Sequence, residues 1–270
     1  MINLLYGTDF HGNEKKFEDI LFHALEYNIP LIHLGCDILP KGSNILSEQK
    51  KFVNGYLKNF YDRCHKHGIE VLAFWGNDDV YTRKKYFLKY ASLLDETPYV
   101  KNGYTFKAYP YVQDYPFGLK TACKLDRIGW KCPDPYVGKP IDCGDAGFEP
   151  IQDIEEYFSR KGTIEDDLMA IRADRRTIMA IHQPPAGLGL DVCLNGHKVG
   201  SEAVYNWIER EKPLCVLSGH IHESYQVTGE WKVKIGETVV IQPGQKEYKT
   251  TLVYIELLDD LVKAEIIQKG

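Results

Sequence analysis

Five short blocks of this 270-residue chain carry side chains able to hold a metal ion: Asp9-Phe10-His11, Gly35-Cys36-Asp37, Gly76-Asn77-Asp78, His182-Gln183-Pro184-Pro185 and Gly219-His220-Ile221-His222. Asp9 and His11 stand at alternate positions, as do His220 and His222, so in extended backbone each pair points to one side and can chelate a single ion. Imidazoles, carboxylates and an amide form a mixed nitrogen and oxygen set, suited to manganese, iron or zinc rather than to a thiolate centre. A carboxylate with both oxygens free can bridge two ions, and Asp37, isolated after Gly35, is the candidate for that role. Gly35, Gly76 and Gly219 sit beside the donors, where a missing Cβ permits tight turns and close approach. Two cations roughly 3.5–4 Å apart acidify a shared water, neutralise phosphate oxygens and stabilise both entering and leaving groups. A Gly-x-Ser-x-Gly elbow and a Gly-rich phosphate loop are both missing from the sequence, which counts against acyl transfer and nucleotide triphosphatase chemistry.

The elements that must position these blocks follow from apolar periodicity. Asn3 to Thr8 is a strand. Glu14 to Tyr27 is a helix with Phe17, Ile20, Leu21, Ala24 and Leu25 at helical spacing, Pro30 to Leu34 the second strand, and Ser47 to His67 a helix closed by Gly68. Ile69 to Trp75 is a third strand and Tyr81 to Leu94 a third helix. This alternation means parallel βαβ units, an α/β class. Further on, Ile151 to Ile171 is expected as one helix, Thr177 to Ile181 as a strand, Ser201 to Arg210 as a helix capped by Ser201, and Leu214 to Leu217 as a strand. After that the helices are expected to stop. Trp231 to Ile235, Thr238 to Ile241, Thr250 to Leu257 and Leu261 to Ile267 read as antiparallel strands. All five donor blocks then fall just past a strand end, the edge of an open α/β sheet where loops converge on ligands.

Between Pro110 and Pro150 the breakers multiply and aromatic residues interleave with them, Tyr111, Tyr115, Phe117, Trp130, Tyr136 and Phe148 among them. A segment of this length without periodicity is expected to be a functional loop, lid-like over the metal mouth. Its Lys120, Lys124, Arg127, Lys131 and Lys139 alternate with acidic residues and are expected as a solvated mixed surface. The chain holds 33 Lys and Arg against 38 Asp and Glu, a net charge of −5, which disfavours duplex nucleic acid as a partner. The longest apolar runs fall short of the roughly 18 residues of a membrane span, and the N-terminus reads as a strand rather than a signal segment, so a cytoplasmic protein without a membrane partner is expected. Seven scattered cysteines, none at Cys-x-x-Cys spacing, are expected as reduced thiols.

A shuffled chain of this composition would contain Gly-His-x-His roughly 0.03 times, so one block means little, but five in order are specific. The order Asp-x-His, Gly-x-Asp, Gly-Asn, His, Gly-His-x-His resembles the calcineurin-like metallophosphoesterases over Thr8 to His222. Ile241-Gln242-Pro243-Gly244-Gln245 is similar to that family's Asn-Pro-Gly-Ser strand end, and His182-Gln183-Pro184-Pro185 with Leu190-Asp191 and Gly200-Ser201 is similar to a small-phosphoesterase branch of it. The resemblance implies a two-sheet αββα sandwich holding two divalent metals in one domain over residues 1–270, with the C-terminal part largely antiparallel. One metal would be bound by Asp9, His11, Asp37 and His222, the other by Asp37, Asn77, His182 and His220. A hydroxide bridging them would attack a phosphomonoester or phosphodiester in line, with manganese the expected metal in vitro and a small phosphorylated molecule the expected substrate. The rival readings are a nuclease-type phosphodiesterase and a non-catalytic metal-binding scaffold of the same fold.

One departure concerns catalysis. Many members of that family carry a histidine directly after Gly-Asn, and this chain has Asp78. An anion beside an anionic substrate helps less unless it is protonated, or holds a metal or another side chain. Either the metals act alone on good leaving groups, or another residue, His197 in the loop after Asp191, supplies the proton, or the chain is a scaffold. Among the remaining histidines, His33 is expected in the core, His23 as structural, and His65 and His67 at the negative end of a helix.

Overall fold

The helical spacing in the first segment is satisfied by burial of Phe17, Ile20, Leu21 and Ala24 on one face of a helix whose N-terminus is capped by Asn13, its side chain accepting from the Lys15 N–H at 3.1 Å. The computed structural model describes residues 1–80, 92–94, 97–144 and 147–269. Strand β1 (Ile2–Gly7) leads through α1 (Glu14–Glu26) to β2 (Leu31–Leu34); α2 (Ile45–Phe52) then continues through a π-helical turn at Val53–Leu57 into α3 (Lys58–Lys66), which precedes β3 (Glu70–Ala73). Next come β4 (Ser92–Leu93), β5 (Tyr99–Lys101), β6 (Tyr104–Tyr109) and four short strands, β7 (Val112–Gln113), β8 (Cys123–Lys124), β9 (Ile141–Gly144) and β10 (Gly147–Pro150). The rest is α4 (Ile154–Lys161), α5 (Ile164–Ala170), β11 (Thr177–Ile181), α6 (Glu202–Glu211), β12 (Cys215–Leu217), α7 (Ser224–Thr228), β13 (Lys232–Ile235), β14 (Thr238–Ile241), β15 (Thr250–Leu258) and β16 (Leu261–Lys269).

Two six-stranded sheets result, in the orders β16-β15-β1-β2-β3-β4 and β13-β14-β12-β11-β6-β5. β1 to β4 run parallel, as do β14, β12, β11 and β6, with antiparallel strands completing the edges. Strand alternation distributes the core into three layers. Ile2, Leu4 and Tyr6 of β1 meet Phe106, Ile178, Ala180, Cys215 and Leu217 of the second sheet, while Leu5 packs with Phe17, Ile20 and Phe60 on the helical side. In the second sheet Met179 and Ile181 turn the other way, onto Ala203, Val204 and Trp207 of α6 and Leu168 of α5. This is the expected αββα sandwich.

The differences from expectation have local causes. The segment 151–171 is two helices, because Gly162 takes φ 67° and Thr163 and Asp166 form a capping box that starts α5 afresh. Residues 92–93 extend the first sheet beside β3 rather than ending a helix; the other part of that expected helix, 81–91, lies outside the described residues. Strands β5 and β6 went unread because their aromatic positions sit beside the breaker-rich segment. A short helix, α7, follows the second sheet's central strands, and β14 pairs parallel with β12, so the C-terminal part is antiparallel only in the β13–β14 and β15–β16 pairs. Lys120 and Lys124 are buried rather than solvated: Lys120 pairs with Asp114 at 2.7 Å with its ammonium over the rings of Tyr115 and Tyr136, and Lys124 pairs with Asp167 at 2.5 Å. His33 is fully buried among the rings of Tyr6, Phe74 and Phe106, and all seven cysteines are free.

Candidate metal centre

The same ends of both sheets deliver the donors. Asp9 and His11 follow β1, Asp37 follows β2, Asn77 follows β3, His182 follows β11, and His220 with His222 follow β12. Backbone hydrogen bonds tie these loops edge to edge: Asp9 N–H donates to the Cys36 carbonyl (2.9 Å), His11 N–H to that of Asp37 (2.8 Å), and Gly219 N–H to that of His182 (3.1 Å). Asp9, His11, Asp37 and His220 all take positive φ, between 46° and 69°, which turns their side chains out of the strand direction and into one hollow. Asp9 therefore reaches the hollow from a strained turn rather than from the extended backbone its spacing suggested.

Three overlapping groups of side chains have donor atoms within 4.8 Å of one another: Asp9, His11 and His222; Asp37, His182 and His220; and His11, Asp37 and Asp78. Nε2 of His11 lies 3.1 Å from Nε2 of His222, which is 3.3 Å from Asp9 Oδ1. Nε2 of His182 lies 2.9 Å from Asn77 Oδ1 and 3.2 Å from Asp37 Oδ2. The seven residues expected as ligands thus come together, and Asp37 belongs to two of the groups, one with His182 and His220 and one with His11 and Asp78.

The surroundings shape this cradle. Thr8 Oγ1 donates to Asp9 Oδ2 (2.9 Å), and the His220 N–H to both Asp9 oxygens (3.1 and 3.2 Å). The Asp78 N–H donates to Asp37 Oδ1 (2.8 Å). A Cβ on Gly219 would stand 2.4 Å from Asp9 Oδ2, and one on Gly76 2.0 Å from Asp37 Oδ1, so glycine makes room for both carboxylates. Burial alone would raise the carboxyls of Asp9 and Asp37; the facing imidazoles, His222 for Asp9 and His182 for Asp37, with His11 near both, reverse this and hold them well below the usual range. Burial pushes His11 and His220 down to about 3, whereas the Asp37 carboxylate overcomes burial at His182 and holds it above its ordinary value. Ionised carboxylates beside imidazoles held neutral, as at His11 and His220, are the state in which such groups bind a divalent cation, and the donor set present fits one.

No protein-family model and no curated protein matches the sequence. Solved structures do match the fold. The TT1561 protein of Thermus thermophilus is 16% identical with a TM-score of 0.55 over 98% of both chains, and a further solved structure is 15% identical with a TM-score of 0.61 over 97% of this chain and 98% of that one. A dimetal phosphatase from Danio rerio is 10% identical with a TM-score of 0.55, over 99% of this chain and 98% of the other. The chain shares the fold of these structures, a dimetal phosphatase among them.

In this fold the cradle opens into a cavity of about 1140 Å³. Asp37, Asn77, His220 and His222 line its inner end; Tyr115, Phe117, Leu119 and Trp130 of the 110–150 segment line it too. Tyr115 touches the donor residues, its ring 5.9 Å from that of His220 and its hydroxyl accepting from Asn77 Nδ2 at 3.3 Å. Of the two residues considered for proton transfer, His197 is half-exposed on the cavity wall, 3.6 Å from Asp134, and Asp78 stands at the cradle with Oδ2 2.8 Å from Lys41 Nζ.

Sequence reasoning missed four contributors. Lys41 gave no signal, since a lysine after a strand-end loop is ordinary. Asp79 is buried and accepts from the N–H groups of Leu39 (2.8 Å), Gly76 (3.0 Å) and Ile38 (3.3 Å), which fixes the Asp37 loop to the Asn77 loop. Tyr115 was hidden among many aromatic residues. Gln245 donates from its side chain to the Thr8 and Thr251 carbonyls (3.0 and 3.2 Å) while its backbone N–H donates to the His222 carbonyl (2.9 Å), joining the two sheets' loops.

Proposed function

We propose that the protein hydrolyses a small phosphoester, monoester or diester, using two divalent cations, one held by Asp9, His11, Asp37 and His222 and the other by Asp37, Asn77, His182 and His220. The observation that supports this is the position of Asp37, one buried carboxylate at the seam of two donor groups. Manganese, iron or zinc bound there would acidify a shared water and neutralise phosphate charge during in-line displacement. The chain's own residues prepare for this. The Asp78 N–H holds Oδ1 of Asp37 and leaves Oδ2 facing His182; Thr8 and the His220 N–H hold Asp9; Asp79 and Gln245 lock the loops that carry them. Tyr115, Phe117 and Trp130 wall the cavity with apolar surface, which supports a role for the 110–150 segment in excluding water and selecting the leaving group.

The test is hydrolysis of p-nitrophenyl phosphate and of its bis ester by manganese-reconstituted protein, set against Asp37→Asn. Turnover above that control, with two equivalents of manganese bound, is expected. Failure to hydrolyse either ester, or binding of fewer than about one equivalent, would refute the reading.

A further inference from the structure

Beside the donor cradle lies an ion pair that metal binding does not require. Lys41 follows Asp37 by one short loop and lines the cavity with Asp37, Asn77 and Asp78. Its Nζ is 2.8 Å from Asp78 Oδ2, while its side chain stays half-exposed. Asp78 is itself fixed from two sides: its N–H donates to Asp37 Oδ1 at 2.8 Å, and its Oδ1 accepts from Asn77 Nδ2 at 3.0 Å. A carboxylate oxygen of Asp78 lies within 4.8 Å of donor atoms of His11 and Asp37. An ammonium is therefore held on a short, doubly anchored arm beside the place where phosphate oxygens would sit. Among the described residues the other cavity-wall lysines are Lys131 and Lys198; Lys131 pairs instead with Glu155, at 3.6 Å on the open surface.

We propose that Lys41 donates to a phosphoryl oxygen of the substrate, that Asp78 is the residue that positions it, and that the pair gives preference to phosphomonoesters over diesters. The inference rests on the phosphoesterase reading and adds to it a substrate class. A monoester has three non-bridging oxygens. Two cations on either side of Asp37 engage two of them or fewer, and the third, still charged, needs a donor of its own. In a diester one of those oxygens carries a second organic group, which neither bears charge nor tolerates a tightly placed ammonium. Loss of a single donor to developing phosphoryl charge costs about 10²-fold, and the loss falls on the substrate that has the oxygen to offer. The half-exposed side chain leaves Lys41 room to reach a bound phosphate from its place beside Asp78.

The experiment compares wild type, Lys41→Met, Lys41→Arg and Asp78→Asn, all loaded with manganese, on p-nitrophenyl phosphate and bis(p-nitrophenyl) phosphate. Binding of inorganic phosphate is followed by calorimetry in the same preparations. Lys41→Met is expected to lower kcat/KM for the monoester about 10²-fold and for the diester less than about threefold, to weaken phosphate binding at least tenfold, and to keep two manganese equivalents. Lys41→Arg restores part of the monoester rate and of the phosphate affinity, since it returns the charge but as a planar fork rather than a compact ammonium. Asp78→Asn weakens phosphate binding less than Lys41→Met does. Equal losses on the two esters, or phosphate affinity unmoved by Lys41→Met, would overturn the proposal. Wild-type protein that turns over neither ester would instead overturn the phosphoesterase reading beneath it.

Discussion

Gly76→Ala tests whether the cradle depends on a glycine that is not itself a ligand. The backbone at Gly76 has no positive φ, so alanine adopts it without conformational strain, and the whole effect is steric. The added Cβ would stand 2.0 Å from Asp37 Oδ1 and 2.7 Å from both Asp37 Cγ and Asp37 N. Ordinary contact needs about 3.4 Å, so the carboxylate must retreat by more than 1 Å, and because the backbone nitrogen is also crowded, turning the side chain alone does not relieve it. Asp37 belongs to two of the donor groups, one with His182 and His220 and one with His11 and Asp78, so both are damaged together. A misplacement of about 1 Å at a reacting centre costs about 10²-fold in rate, or about 2.7 kcal/mol, and metal affinity is expected to fall by about 10- to 100-fold. Manganese titration by calorimetry and initial rates on p-nitrophenyl phosphate measure the two losses. Gly55→Ala is the control: a Cβ there meets nothing within 4 Å inside the continuous helix, and it should stabilise by about 0.5–1 kcal/mol with activity unchanged. Gly76→Ala protein with two equivalents at wild-type affinity and rates within threefold would refute the steric argument.

Other expectations follow from the same packing. Burial pushes His33 down to about 4 from 6.5, so the unfolded chain takes up its proton first as pH falls, and stability drops between 6.5 and 4. His33→Leu in chelated protein should shrink the stability difference between pH 7 and pH 5 by about 2 kcal/mol in urea titrations; an unchanged difference would show that the imidazole is not buried neutral. Asp79→Ala leaves three backbone N–H groups without their acceptor and is expected to cost about 2–4 kcal/mol, a loss of less than about 0.5 kcal/mol being the contrary result. Manganese at about 100 times its Kd should add about 3 kcal/mol per bound ion, about 5 kcal/mol for two, to the stability of the chelated protein, read as a rise in Tm that Asp37→Asn abolishes. Phe117→Ala combined with Trp130→Ala should raise KM for aryl phosphates several-fold while two manganese equivalents still bind; an unaltered KM would remove the segment from substrate selection.

Much of this molecule is legible in its residue order because the donors punctuate the strands. A strand end followed by Asp-x-His or Gly-His-x-His marks the sheet edge as well as the chemistry, so Asp9, His11, Asp37, Asn77, His182, His220 and His222 could be assembled before any distance was known. What periodicity could not give were features set by contacts distant in sequence. Lys120 looked like surface because its partner rings, Tyr115 and Tyr136, and its counter-charge Asp114 form a closed nest only after the 110–150 segment folds back on itself. Gly162 looked tolerable within a long helix because a glycine's sign of φ is not written in its neighbours, although Thr163-x-x-Asp166 carried a capping signal that favoured a break. Lys41 and Asp78 are ordinary separately and acquire meaning at 2.8 Å.

The left-handed turns at Asp9, His11, Asp37 and His220 have a consequence for how this chain persists. A non-glycine residue in that region costs about 1 kcal/mol or more, and here four such residues turn carboxylates and imidazoles into one hollow. Glycine or asparagine at these positions would give a more stable polypeptide. Random substitution followed by selection for folding alone should therefore erode the hollow early and leave the sandwich intact.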